Sequence, residues 1–218
     1  MADLKETITA EAISRPKFYQ DRDAQMDADL LMYLLVDEKQ DSKDPGYARF
    51  KTNWPQNIVD KPSQMMVRNP MRFQVPIDGS IREERDKKTL IERLCKGFWN
   101  DVNTRLRKRG YSEGADGIAA KHLLLRGACS SELIVSEKEQ ERRGSPNNYH
   151  WWDPRHVYPR WDDDGLNSVL YYVEARVGDV MDEYKKAPIE GERDDVVKKY
   201  IWYDRDQYAV LADWKPPR

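Results

Sequence analysis

Between Trp151 and Gly165 the chain reads WWDPRHVYPRWDDDG: three tryptophans, four aspartates and one of only three histidines within fifteen residues. His156 beside Asp162, Asp163 and Asp164 is the residue set of a divalent-metal hydrolase or nuclease, where carboxylates and imidazole hold an ion that activates water. The spacing argues against that chemistry. Three consecutive aspartates project in diverging directions, and they lack both the alternating rhythm of a calcium loop and its closing bidentate glutamate. His156 has no histidine partner at i+4; His122 and His150 fall in a core-like helical run and a strand-like run. Nothing in the stretch selects a carboxylate pair for glycoside chemistry either. No catalytic residue, metal ligand or cofactor site is expected here, and the Asp162–Asp164 hydrolase or nuclease stands as the alternative.

The same letters make a stiff turn. Pro154 fixes its own φ and holds Asp153 extended, and Pro159 does the same to Tyr158. Asp153 can accept backbone N–H bonds in an Asx turn, and Arg155 can pair with a carboxylate. WDDDG is a turn into a following strand, with Gly165 where the backbone needs positive φ. Trp151, Trp152, Tyr158 and Trp161 supply the apolar area that pins the excursion to a sheet. Asp153, Pro154, Arg155, Tyr158, Pro159, Trp161 and Gly165 therefore read as one structural turn.

A second charged feature is RLRKRG, ending at Gly110. Arg105, Arg107, Lys108 and Arg109 suit the negative end of a helix dipole, with Gly110 as its C-terminal cap, and they are candidates for subunit contacts. A single-stranded nucleic-acid-binding module, with this run on phosphates and aromatics on bases, is a further alternative. Charged residues make up 35% of the chain, yet the net charge is −2, so it is no electrostatic glove for nucleic acid. Cys95 and Cys129, without CxxC spacing, read as buried thiols in a reducing compartment. The first residues lack an apolar signal core, and no apolar run reaches the length of a membrane span, so a soluble cytoplasmic product is expected. Gly110, Gly114 and Gly117 do not make a phosphate loop.

These residues need elements to position them. Residues 1–20 have weak periodicity and read as a loosely held arm. A helix follows from Asp21 to about Lys39 on Met26, Leu30, Leu31, Leu34 and Leu35, and a Pro-Gly turn at DPG ends it. Another follows Pro55, with a kink or restart at Pro62, and Met71–Pro76 alternates as a short strand. Ser80 and Glu83 form a capping box for the longest helix, which runs to about Arg109 with Leu90, Leu94, Cys95, Phe98, Val102 and Leu106 on one stripe. A buried helix covers about Ala115 to Gly127. From about 128 the rhythm turns to strands: SELIVSEKE, a polar hairpin tip, YHWWD, LNSVLYYVEARV, one short helix at GDVMDEYKKAP, the acidic loop EGERDD, then a hairpin about DRDQ. The expectation is an α+β fold: one domain over 21–218, helical to about 127 with a long amphipathic helix, then a mainly antiparallel β-sheet with one short helix.

Four segments together carry a resemblance. WDPRHVYPRWDDDGLNSVLYYVEARVGDVMDEYKK resembles the turn, strand and short helix of tailed-bacteriophage portal proteins, the head-to-tail connectors. KFYQDRDAQMDADLLMYLL, NIVDKPSQMMVRNPMRFQVP and GIAAKHLLLRGACSSELIVS are similar to that family's early helix, its helix and strand ending in V-P, and its buried helix before a strand. The resemblance spans roughly Phe18 to Trp214 and implies the N-terminal wing region, with the family's stem, clip and crown absent from these residues. It implies a structural, non-enzymatic part of a ring, twelvefold in this family, at the capsid portal vertex of the virion, assembled in the host cytoplasm. Implied partners are copies of itself, the major capsid protein, the terminase and a tail adaptor. Double-stranded DNA would pass through during packaging and genome ejection without tight binding, and no membrane is involved. Near-neutral charge suits such a conduit, because each neutralised phosphate would add grip.

Overall fold

The structure is a computed structural model that describes residues 2–35, 52–68, 72–76, 82–111, 113–135, 147–184 and 191–213. It is an α+β fold with a helical N-terminal half and antiparallel sheets after it. In chain order the elements are α1 (Ala2–Phe18), α2 (Gln20–Tyr33), α3 (Trp54–Arg68), α4 (Arg82–Lys108), α5 (Ala115–Arg126), β1 (Ser130–Val135), β2 (Asn147–Trp152), a 3-10 turn (Pro154–His156), β3 (Val157–Asp162), β4 (Gly165–Arg176), α6 (Val177–Glu183), β5 (Val196–Asp204) and β6 (Tyr208–Asp213). They divide into two compact units. One joins residues 1–27 to 152–218, and the other is 28–151. Sequence reading expected one domain, divided near 127 into helical and β-rich parts.

The first unit is built on the sheet β3-β4-β5-β6, antiparallel throughout. Alternation along β4 sends Leu170 and Tyr172 to one face and Val169, Tyr171 and Val173 to the other, and both faces are covered. On the first, Leu170, Tyr158 and Trp202 pack with Ile8 of α1. On the second, Tyr171, Val157 and Ile201 pack with Trp152, whose ring lies flat on Tyr171 at 4.5 Å. A smaller cluster of Val177, Val180 and Val197 seats α6 at the β5 end. The loosely held arm is thereby corrected: residues 2–18 are helical, because Ile8 and Arg15 are buried. Contacts to the sheet, not local periodicity, order them.

In the second unit α3 and α4 flank α5. Val102 and Leu106 of α4 meet Ala115 of α5, with Tyr149 and Trp151 of β2 against them. Small residues let α5 sit close: Ala115, Gly117 and Ala120 are buried, and a Cβ on Gly117 would stand 3.3 Å from the Val67 methyl of α3. Leu123 and Leu124 are exposed, so α5 is not buried all round as expected. α3 runs without interruption through Pro62. The C-terminus of α4 follows the expected cap. Gly110 has φ +89, Tyr111 N–H donates to Leu106 O at 3.1 Å and Gly110 N–H to Arg107 O at 3.0 Å, which is the Schellman pair.

Three further expectations need correction. Arg72–Pro76 is irregular where a strand was expected; Val75 N–H donates to the Glu92 carboxylate instead of to another strand. Cys129 is exposed and Cys95 half-buried, so they are not a pair of buried thiols. The helix expected to reach Lys39 ends at Tyr33, with Leu35 at φ +56. The Pro-Gly turn, Ser80 and the β1–β2 hairpin tip lie outside the described residues. Among the described residues, no helix is long and apolar enough to cross a membrane.

Candidate functional site

Asp153 opens the stretch as the sequence suggests: its carboxylate accepts Arg155 N–H at 3.0 Å, and Pro154 is buried at the first position of the 3-10 turn. The chain then enters β3 at once. Tyr158 and Pro159 are paired strand residues, opposite Leu170 and Val169, not an excursion between strands. Proline is tolerated there because β3 is the sheet's outer strand, where one side of the backbone needs no ladder donor. The register shifts between Arg160 and Trp161, a bulge beside Asn167.

The edge of β3 is covered by side chains from the first two helices and from Tyr19 between them. Tyr19 donates its hydroxyl to Pro159 O at 2.7 Å, and Arg22 donates to Val157 O at 3.0 Å. These carbonyls are two residues apart and so point the same way from the strand. Arg15, almost wholly buried, donates to Tyr158 O at 2.8 Å, the Ser168 hydroxyl at 2.7 Å and the Glu11 carboxylate at 2.7 Å, with its guanidinium over the Trp202 ring. A second set sits one turn on. Arg155 grips Asp27 through Nε at 2.9 Å and Asp23 through Nη1 at 2.9 Å, and the Tyr158 hydroxyl donates to Asp23 at 3.0 Å. Burial, then the Tyr172 hydroxyl and the Asp23 charge, push the Tyr158 pKa far above the ordinary 10.0, which keeps it a donor. Burial works against the Arg155 charge, but the Asp27 bond and both carboxylate charges outweigh it and raise its pKa.

The acid cluster is used differently from a metal site. Asp162 accepts Asp164 N–H at 3.0 Å and the Asn167 amide at 2.7 Å, and it faces Arg205 Nη2 at 2.9 Å. The Asn167 bond, together with the Arg205 charge, holds its carboxyl below the usual 3.8. Asp164 lies 3.7 Å from the same guanidinium, and Gly165 completes the turn at φ +113. His156 is at the other end of β3, about 20 Å away at a strand's rise of about 3.3 Å per residue, with its ring against Tyr172. Among the described residues no three His, Cys, Asp or Glu side chains are grouped to hold an ion.

Two more sequence assignments change. Trp161 is 64% exposed and does not pin the stretch to the sheet. It borders an open groove of about 410 Å³ with Phe18, Tyr19 and Pro159. Trp151 packs on α4 and α5 in the other unit and stacks on His122. Of the basic run, Arg105 is tied inward to Asp101 at 2.9 Å and to Asn147 O, while Arg107, Lys108 and Arg109 are exposed. Arg193 of the acidic loop pairs with Asp182 of α6 at 2.8 Å. Arg15, Tyr19, Arg22 and Asp23 were missed as site residues; their only signal was the density of Arg, Tyr and Asp in RPKFYQDRD.

Two helices of the second unit carry runs of exposed apolar side chains. α3 exposes Trp54, Ile58 and Met65, and the first half of α4 exposes Leu90, Ile91 and Leu94. No family model matches the chain, and no curated protein matches it.

Proposed function

We propose that this chain is a structural subunit, a wing-type part of a tailed-phage portal ring through which DNA is packaged and ejected. The observation that carries the reading is the order of elements beneath the four resembling segments. α2 underlies KFYQDRDAQMDADLLMYLL, α5 passes to β1 at GACSSEL, and DPRHVYP leads through β3 and β4 into α6. The fourth segment supplies α3 but, among the described residues, no strand at its V-P pair. Two physical features support the same reading. Exposed apolar faces on α3 and α4 suit contacts between copies, and heterologous contacts close into rings when their rotation closes. A net charge of −2 suits a conduit that does not grip DNA. Capsid, terminase and adaptor contacts, and the virion location, belong to the same proposal.

A metal-dependent hydrolase draws little support, since Asp162 and Asp164 are engaged by Arg205 and His156 stands a strand's length away. The single-strand binder would use Arg107, Lys108 and Arg109. Negative-stain imaging of the purified chain tests the proposal: closed rings are expected, and monomers at every concentration would overturn it. Single-strand affinity that falls steeply with salt would favour the binder instead.

A further inference from the structure

The outward stripe on α3 has helical spacing. Trp54, Ile58, Lys61 and Met65 stand at i, i+4, i+7 and i+11, and all four are exposed. The opposite side of the same helix buries Val59 and Ser63. α3 thus packs one side on its own chain and turns Trp54, Ile58 and Met65, about Lys61, outward, exposed among the described residues. A surface helix needs only one apolar stripe. On α4 the stripe Leu90, Leu94, Phe98, Val102, Leu106 advances four residues at a time. Its C-terminal members are buried against α5, but Leu90 and Leu94 are open.

We infer that the outward stripe of α3 in one copy docks on the open Leu90–Leu94 turns of α4 in the next. The area favours a second copy as occupant. Trp54, Ile58, Met65, Leu90 and Leu94 are each more than half exposed, and together they hold on the order of 700 Å² of accessible surface, most of it apolar. A standard interface buries about 1,600 Å², of which somewhat more than half, roughly 900 Å², is apolar. One stripe from each of two copies thus supplies most of the apolar part of one interface. Pairing α3 with α3 about a two-fold would leave the α4 stripe bare, whereas pairing α3 with α4 covers both and repeats. With a net charge of −2, long-range repulsion does not oppose self-association. The inference rests on the assembly reading and names the surfaces it uses.

The test is cross-linking in a background with Cys95→Ser and Cys129→Ser. Ile58→Cys and Leu94→Cys chains are oxidised separately and mixed. A covalent dimer from the mixture alone is expected. A dimer from Ile58→Cys by itself would indicate the two-fold arrangement and overturn the inference, as would no dimer in any sample. Ile58→Lys, at an exposed position, keeps the circular dichroism and melting of the parent and weakens self-association by about tenfold or more in sedimentation velocity. Rings that survive Ile58→Lys would overturn the docking surface while leaving the portal reading intact. Loss of open oligomers that never formed rings would do the reverse.

Discussion

Arg15 is a long, charged side chain placed almost wholly out of water, and it persists because its donors have partners: Glu11, Tyr158 O and the Ser168 hydroxyl. Removing it leaves a buried carbonyl and hydroxyl without their donor. Arg15→Ala is expected to cost about 3 kcal/mol in urea unfolding. Arg15→Lys should recover little, because an ammonium cannot span the same three acceptors. A loss under 1 kcal/mol for the alanine variant would contradict this role. The two turn carboxylates set an acid limit. Asp162 is held low by Asn167 and Arg205, and Asp204 by the Trp202 indole N–H and by the N–H groups of Asp206 and Gln207. Carboxyls depressed below 3.8 contribute stability that is fully present above that pH and is lost as pH falls through their lower folded values. Asp204→Asn should therefore flatten the fall in melting temperature below about pH 4, and an unchanged acid slope would count against it. At this scale the sequence was partly legible. The Asp153 cap and an Arg155 carboxylate partner were both foreseen. That the partners are Asp23 and Asp27, 132 and 128 residues away, was not, because local spacing carries no information about them.

Elements were legible where local rules decide them. The end of α4 is one such case: cations, then Gly110 at φ +89 in a Schellman turn. A methyl group at Gly110 meets nothing within 4 Å, so Gly110→Ala isolates backbone strain from packing. Its expected cost is about 1 kcal/mol, read as a lower urea midpoint at unchanged slope; a stability equal to the parent would contradict the assignment. The β5–β6 hairpin is another, with Asp204 folding the DRDQ turn through its Oδ1 bonds to Asp206 and Gln207. Elements that depend on distant partners were misread. α1 has little periodicity and is ordered by Ile8 and Arg15 on the sheet, while Arg72–Pro76 alternates like a strand but pairs with none among the described residues. β3 combines both lessons. Its proline was visible, but its place as an edge strand, with carbonyls taken by Tyr19 and Arg22, was not. That cover leaves less of the β3 edge open to strand pairing with another chain.

At the scale of the whole molecule, the α+β class was legible because helical and alternating rhythms occupy different halves of the chain. The division into units was not, because the first unit joins residues 1–27 to 152–218 across the second. The apolar stripe on α4 had the opposite history: its periodicity was plain, but periodicity cannot say whether a stripe meets its own chain or another. On the proposed reading, the exposed stripes of α3 and α4 make the chain a subunit. Sedimentation velocity over a hundredfold range of protein concentration tests it most directly. Growth from monomer to a discrete ring-sized species is the predicted result. A single monomeric boundary at every concentration would contradict the claim.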